Sequence, residues 1–331
     1  MIGSSYTQSI RQLLGFALAG LLLWLMLRRI ALADLAATIS QANLNYITLA
    51  VVVYVVGLAC KVERWRLMLT QLNSELRWTD CAGPLVASIA ANNVLPFRAG
   101  DLARAVAFNK RFGTNISLSL TTLIIERLLD VVVILSFLGV ALLAFGTESH
   151  KLIGVGGGFL FLMASTILLL LAFPRVLIAV AFWCVGHVAA VWPAVGLRVT
   201  RELRKVFDAL IYFAGVTVFW RLIIWSLLAW LAEGLSFWIV AFGLPAIDVA
   251  GAAWLAMPVG TLATVIPTTP GYVGTFDYFT AHAMTVGGNA YAHATAYAFL
   301  IHFVIWLPAT VLGGAYIILS SSYLNPLKRR Q

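Results

Sequence analysis

The sequence predicts an all-α polytopic membrane protein, because its composition is strongly apolar and its apolar residues occur in long runs. Of the 331 residues, 62% are hydrophobic and only 11% are charged, whereas about a quarter of the residues in a soluble domain are charged. Soluble globular, disordered, collagen-like and coiled-coil proteins are therefore excluded. A helix needs roughly 20 mostly apolar residues to cross a bilayer. Six runs approach or exceed this length: 11–28, 44–60, 118–145, 152–173, 221–243 and 293–319.

We expect one integral membrane domain over residues 1–331, with a first half at about 10–145, a second half at about 150–320 and no soluble domain. Residues 176–196 leave the number of transmembrane helices open between six and eight. They are apolar enough to cross, but a single crossing would place the following basic cluster outside. We expect an interfacial or tilted hairpin there, followed by an amphipathic helix over 197–215 on the membrane surface.

The net charge of +9 comes from 22 Lys and Arg against 13 Asp and Glu. The basic residues fall in short segments between apolar runs, which the positive-inside rule explains without a nucleic-acid partner. We place these segments and both termini on the cytoplasmic side of the bacterial inner membrane. Arg28 and Arg29 are the exception, because they then fall on the outer side. The basic segments are 61–77, 98–111, 198–205 and 328–330.

Two apolar segments, 82–97 and 251–267, are too short and too interrupted to cross, so we expect two re-entrant half-helices. Broken backbone is tolerated at membrane depth only where it lines a cavity. The pattern V-[L/I]-P-x-x-x-G occurs at 94–100 and again at 265–271. This is a weak inverted repeat, because the first segment would enter from the cytoplasm and the second from outside. Such paired breaks point to a transporter's binding site; a chance likeness is the alternative.

Three charged residues lie deep inside the run 118–145: Glu126, Arg127 and Asp130. A charged side chain at this depth costs about 2.5–3.5 kcal/mol by insertion scales, so it needs a partner or a function. Spacings of three and four residues let Asp130 share a helix face with both others. The local charge is −1, so we expect a further cation from Arg98 or Arg104. The cluster is interpreted as a polar cavity wall, with an internal salt bridge as the alternative.

A second polar cluster begins at Arg98, just after the first break. Asp101 and Arg104 share one face of a helix that starts near residue 100, and Asp101 suits the start of a helix. Free backbone N–H groups at that start attract phosphate, and the planar guanidinium of Arg98 suits two contacts with it. A cytoplasmic anchor is the alternative. Asn92 and Asn93 either satisfy unwound backbone or contact a head group.

Glu233 and the segment 267–277 are further polar features in apolar surroundings. Glu233 stands alone within the run 221–243, so we expect pairing with an arginine of the cluster, a proton-relay role or a structural contact. The segment holds two prolines that deny helix and two glycines that permit close backbone approach. We expect a loop that lines a cavity, with Asp277 at the start of the next half-helix. The loop residues expected at the site are Thr268, Thr269, Gly271 and Asp277.

Arg64 lies in the motif Arg64-Trp65-Arg66, at the end of the run 44–60. Tryptophan beside arginine is ordinary anchoring at the membrane interface, and contact with a lipid head group is the alternative. The five His and three Cys show no metal-ligand spacing. No metal, cofactor or catalytic residue is therefore predicted.

Together these motifs resemble the lysylphosphatidylglycerol synthase transmembrane-domain family, also called flippase-like, over roughly residues 10–320. The family has Glu where this chain has Asp277. The matching residues are Arg64-Trp65-Arg66, Asn93-x-x-Pro96-x-Arg98-x-Gly100-Asp101-x-x-Arg104, Glu126-Arg127-x-x-Asp130 and Pro267-x-x-Pro270-Gly271-x-x-Gly274-x-x-Asp277.

The resemblance implies a lipid flippase. In multidomain members a soluble synthase domain follows and moves an aminoacyl group from tRNA to phosphatidylglycerol. This chain runs to Gln331 without such a domain, so we do not expect that activity. Stand-alone relatives occur near genes for lipids, polyprenyl glycans and hopanoids. The implied substrate is an anionic phospholipid, a polyprenyl phosphate or a hopanoid.

Three hypotheses follow for the function. In a flippase, Arg98 and Arg104 would hold an anionic head group while the carboxylates balance the charge. A membrane-embedded lipid-modifying transferase would need a nucleophile or base beside a metal or activated donor. A scaffold for lipid-biosynthesis enzymes would use the charges only as salt bridges. The expected partner is a membrane lipid or lipid-linked substrate; biosynthesis enzymes and a homo-oligomer are left open. The residues predicted to bind substrate are Arg64, Asn92, Asn93, Arg98, Asp101, Arg104, Glu126, Arg127, Asp130, Glu233, Thr268, Thr269, Gly271 and Asp277.

Overall fold

A computed structural model describes most of the chain and contains only helices and turns in that part. The described residues are 17–28, 32–70, 73–95, 98–108, 112, 116–145, 216–265 and 269–323, with scattered positions between 158 and 204. The longer helices are α1 (Ala17–Leu27), α2 (Leu32–Ser40), α3 (Leu44–Thr70), α4 (Trp78–Val94), α5 (Ala99–Ala107), α6 (Ile116–Phe145), α7 (Val216–Phe242), α8 (Ala253–Ala263), α9 (Thr275–Val286) and α10 (Tyr291–Tyr323).

Four of the described helices are long and apolar enough to cross a membrane. They are α3, α6, α7 and α10, with spans at Leu44–Thr70, Ser119–Phe145, Thr217–Phe242 and Tyr291–Ser320. The all-α membrane architecture is confirmed, and these spans match the predicted runs 44–60, 118–145, 221–243 and 293–319. The predicted run 11–28 is described only from residue 17, and 152–173 and 176–215 lie mainly outside the described residues.

Helix α3 extends well past residue 60, where the predicted apolar run ends. It continues to Thr70, so the basic motif Arg64-Trp65-Arg66 is helical. Arg64 is 2% exposed and Trp65 is 4% exposed. The interpretation of this motif as an interfacial anchor is therefore wrong. The physical reason is that partners on other helices satisfy the guanidinium, so the charge does not mark a helix end.

Close helix packing creates two apolar cores. Helix α3 packs along α7, where a Cβ added to Gly57 would lie only 3.2 Å from Ala232 Cβ. Small residues permit such close approach of helices in lipid. One core surrounds Phe237 on α7 and includes parts of α6, α8 and α10. The other surrounds Trp65 on α3 and includes parts of α4, α6 and α7.

Each half contains the interruption that the repeated motif predicted. In the first half, α4 ends at Val94 and α5 begins at Ala99, with Arg98 between them in the left-handed conformation (φ 52°). In the second, α8 ends at Ala263 and α9 begins at Thr275, with Gly271 at φ 67°. The two breaks touch, since Arg98 Nη2 donates to Thr264 Oγ1 at 2.8 Å. Re-entrant passage through a bilayer and the opposite sense of the halves stay predictions.

Candidate functional site

A cavity of about 180 Å³ opens where α3 to α7 meet, and charged side chains line it. Nine charged residues face it, five cationic and four anionic. They come from four helices and the first break, so the fold gathers groups that are distant in the sequence. The nine residues are Lys61, Arg64, Arg98, Arg104, Arg127, Asp101, Glu126, Asp130 and Glu233.

The carboxylates of α6 share one helix face, as their spacing predicted. Arg64 Nη1 donates to Asp130 Oδ1 at 2.7 Å, and Arg64 Nη2 lies 3.7 Å from Glu126 Oε1. Trp230 Nε1 also donates to Asp130 Oδ1, at 2.9 Å, and Ser226 Oγ accepts from Arg64 at 3.0 Å. Arg64 is therefore held from two other helices at the centre of the cluster.

Arg104 supplies the cation that the sequence predicted for Glu126. Its Nη2 donates to Glu126 Oε2 at 2.5 Å, and its guanidinium lies over the ring of Trp65, 4.5 Å from the ring centroid. A cation over an aromatic face is stabilised further when both groups are buried. Glu126 thus links α5 to α6 and, through Arg64, approaches α3.

Asp101, in the first turn of α5, forms an ion pair with Arg127. It also accepts a hydrogen bond from Ser88 Oγ at 3.0 Å, while its backbone N–H donates to Asn92 Oδ1 at 3.2 Å. Helix α5 lies outside the four candidate spans. Burial alone would raise the pKa of Asp101, but the positive charges of Arg127 and Arg104 hold that pKa below its ordinary value. The carboxylate is therefore ionised at neutral pH.

Glu233 is paired with Lys61, not with an arginine. Lys61 Nζ donates to Glu233 Oε2 at 2.7 Å and lies 4.6 Å from the ring centroid of Trp230. The predicted pairing with an arginine of the cluster is therefore wrong. Lys61 lies one turn before Arg64 on α3, so both face the cavity. This pairing was not predictable from local spacing, because the two residues are 172 positions apart.

Arg98 differs from the other four cations of the cavity. Its Nη2 donates to Thr264, and its guanidinium lies 5.6 Å from the ring centroid of Tyr272. Among the residues that the structure describes, no carboxylate lies within ion-pair distance of Arg98. Of the two arginines predicted to neutralise the α6 carboxylates, Arg104 does so and Arg98 does not, because Arg98 contacts Thr264 at the second break.

Asp277 is enclosed at the second break. Its Oδ2 accepts from the backbone N–H of Gly274 at 2.8 Å, and its Oδ1 lies 2.8 Å from His302 Nδ1. The other ring nitrogen of His302 lies 2.9 Å from the carbonyl oxygen of Gly271. His302 is therefore held from both sides of its ring by groups of the second break. Asp277 is fully buried and is not among the residues lining the charged cavity.

The remaining predicted site residues make mostly structural contacts. Asn92 satisfies backbone at the start of α5, which is one of its two predicted roles. Asn93 Nδ2 donates to Thr310 Oγ1 at 2.8 Å and ties α4 to α10. Thr269 Oγ1 donates to the Val273 carbonyl oxygen at 2.7 Å, a contact within the loop. Thr268 lies outside the described residues.

Sequence reasoning missed several residues at the site. A second cavity of about 140 Å³ adjoins the first and includes Gly271 and His302 in its lining. Apart from Lys61, the missed residues carry no charge, so no cost of burial marked them in the sequence. Within the described part of the chain, no group of three His, Cys, Asp or Glu side chains is placed to hold a metal. The missed lining residues are Tyr54, Lys61, Ser88, Trp230, Thr261, Thr264, Tyr272 and Trp306.

Comparison with known proteins places this chain in a family. The chain is 25% identical over 349 residues to the protein named Glycosyltransferase AglD from Haloferax volcanii. The aligned region covers 95% of this chain and 55% of that protein. The chain thus spans about half the length of this curated relative. Residues 12–313 match the model of the lysylphosphatidylglycerol synthase TM region. Because this match covers most of the chain, the protein belongs to the lysylphosphatidylglycerol synthase TM region family.

Proposed function

We propose that this membrane protein moves an anionic amphipathic lipid or lipid-linked molecule across the bilayer, with the phosphate of the substrate held by Arg98. One observation carries the proposal. Four cations of the cavity each pair with a different carboxylate: Lys61 with Glu233, Arg64 with Asp130, Arg104 with Glu126 and Arg127 with Asp101. This leaves Arg98 without a counter-ion in the described part of the chain.

An uncompensated cation in an apolar protein favours an anionic ligand. The two charges within each of the four pairs cancel, so Arg98 gives the cavity a net charge of about +1. Two buried guanidinium atoms, Arg64 Nε and Arg104 Nη1, also have no hydrogen-bond partner among the described residues. The cluster therefore holds more donors than its own acceptors use. A phosphate monoanion matches both the charge and the surplus of donors.

The position of Arg98 suggests how binding is coupled to movement. Its guanidinium joins the two breaks through Thr264 and Tyr272. A phosphate that takes these donors competes with the contact to Thr264. Substrate binding therefore weakens a contact between the two halves, and their separation would open the cavity. A ligand shifts an equilibrium between two states only if it binds one of them more tightly. Here the phosphate would bind the separated state more tightly, because in that state Arg98 no longer donates to Thr264.

The test is lipid translocation in vesicles that contain the purified full chain. We expect faster movement of a fluorescent phosphatidylglycerol than in protein-free vesicles, and a decrease of about tenfold or more in Arg98→Gln, because a charged hydrogen bond is lost. Arg66→Gln is the matched control, since Arg66 pairs with Glu63 on its own helix and is absent from the cavity lining. Translocation by Arg98→Gln at the wild-type rate would overturn the proposal.

A second candidate function is that of a membrane-embedded part of a lipid-modifying transferase. The name of the relative from Haloferax volcanii favours it, but the chain covers only about half of that protein. In the cavity, each of the four carboxylates is engaged by a cation, so none is placed as an unoccupied base. Purified protein that forms a covalently changed lipid, measured by mass spectrometry, would favour this candidate over the flippase.

A further inference from the structure

We infer that the second cavity binds an uncharged, hydroxyl-rich group attached to the phosphate of the substrate, as in a lipid-linked sugar phosphate. This rests on the proposed function and names the substrate class more closely. The two cavities adjoin each other, because five residues line both. The shared residues are Tyr54, Asn93, Glu233, Thr261 and Tyr272.

Tyr272 fixes the order of the two subsites. Its ring lies 5.6 Å from the guanidinium of Arg98, and the same residue lines the second cavity. A group bonded directly to a phosphate at Arg98 therefore reaches the second cavity without a spacer.

The ionisable groups Glu233 and His302, which line the second cavity, already have partners. Glu233 is bound by Lys61 at 2.7 Å, and His302 is bound by Asp277 and by the carbonyl oxygen of Gly271. Asp277 itself is fully buried. An ammonium group, as in an aminoacyl lipid, would therefore find no unpaired carboxylate among the described residues. A second anion would likewise find no unpaired cation beyond Arg98.

The groups that remain are neutral, aromatic and able to form hydrogen bonds. Within the described residues, the hydroxyl groups of Tyr54 and Tyr272 and the indole N–H of Trp306 donate to no protein acceptor, as the hydrogen bonds of this region show. Aromatic side chains with one polar atom offer a flat apolar face beside a donor. A sugar ring presents the complement, with C–H groups on its faces and hydroxyls at its edge. A few well-placed polar groups on such walls fix the orientation of a ligand.

The inference predicts that the second cavity makes the protein bind a sugar-bearing lipid phosphate more tightly than the bare lipid phosphate. We expect the purified full chain in detergent to bind a short-chain polyprenyl phosphohexose about tenfold more tightly than the same polyprenyl phosphate, because a site built for hydroxyls discriminates against a ligand that lacks them. In Trp306→Leu the two dissociation constants should agree within about threefold, while that of the bare phosphate stays unchanged. Tyr272→Phe, which keeps the ring over Arg98, should reduce the preference in part.

The control variant is Trp220→Leu, because Trp220 is exposed on α7 and is absent from the lining of both cavities; it should keep the full preference. Equal binding of both probes by the wild type, tighter binding of an aminoethyl phosphodiester, or a preference that survives both cavity variants would overturn the inference. If the bare phosphate binds through Arg98 and the hexose adds nothing, only the inference fails. If Arg98→Gln leaves the binding of every probe unchanged, the proposed function fails with it.

Discussion

The two breaks of the chain share a plan and differ in chemistry. In each, an aspartate is the third residue of the helix after the break, at Asp101 in α5 and at Asp277 in α9. Each aspartate pairs with a basic side chain on the following long helix, Arg127 or His302. This likeness extends the short sequence repeat into three dimensions. The difference is that the first break presents to the charged cavity a cation without a counter-ion among the described residues, whereas at the second break Asp277 is enclosed by hydrogen bonds.

We propose different roles for the two breaks, although both contain a strained backbone position. The backbone is left-handed at Arg98 in the first break, and at Gly271 and Tyr272 in the second, where Tyr272 has φ 60°. A left-handed conformation costs a non-glycine residue about 1–2 kcal/mol, and such strain occurs most often at functional sites. Under the proposed function, Arg98 at the first break holds the ligand, and Tyr272 at the second supplies the ring against which its guanidinium rests.

The largest expected effect concerns the ion pairs of the charged cavity and not the two breaks. Asp130→Asn removes the charge that faces Arg64, which is 2% exposed. An unpaired buried charge costs about 3–5 kcal/mol, so the free energy of unfolding in detergent should fall by about that amount. The control is Asp34→Asn, since Asp34 is exposed on α2. A similar stability for both variants would show that the Arg64 cluster is solvated rather than buried.

The next largest effect tests whether the hydrogen bonds of Asp277 at the second break stabilise the fold and do not bind lipid. Asp277→Asn removes a carboxylate that binds His302 and the N–H of Gly274, so the free energy of unfolding should fall by about 1.5–3 kcal/mol. Affinity for anionic lipid should change less than about twofold, because Asp277 does not line the charged cavity. Asp248→Asn, an exposed position in the same half, should change neither quantity. Loss of lipid affinity with unchanged stability would reverse the roles assigned to the two breaks.

The smallest expected effect compares the left-handed positions Arg98 and Gly271, one in each break. Arg98→Gly and Arg98→Ala both remove the guanidinium, but only glycine relieves the positive φ of 52°. Chemical unfolding should show Arg98→Gly to be more stable than Arg98→Ala by about 1 kcal/mol. At the second break, Gly271→Ala should be destabilising by a similar amount or more, because its added Cβ would lie 2.9 Å from Trp306 Nε1. Equal stability of the two Arg98 variants would mean that no strain is stored at Arg98.

The sequence predicted the local part of the site better than its tertiary part. The grouping of Glu126 with Asp130 followed from helical spacing, and Arg104 was one of two arginines of the preceding segment that were predicted as partners because the local charge is −1. Arg64 and Lys61 were harder to interpret. A run of charges after an apolar span has the same appearance whether the helix ends or continues towards buried partners. Only the packing of α3 against α6 and α7 decides between these outcomes.

Neutral residues escaped prediction for a different reason. A buried charge in a membrane helix is costly and therefore conspicuous, whereas Tyr54, Thr261 and Trp306 are ordinary in such helices. Helix α2 was also missed, because it is short and follows two arginines. The interruptions near residues 96 and 267 were predictable, since proline and glycine act through the local backbone.

The most direct test of the central claim is the lipid that the protein retains during purification. Native mass spectrometry of the full chain, released from detergent, should show phosphate-bearing anionic lipid on the wild type and on Arg66→Gln. The same lipid should be largely absent from Arg98→Gln and Arg98→Ala at equal folded fraction. Retention of the same anionic lipid by all four proteins would contradict the assignment of Arg98 as the phosphate-binding cation.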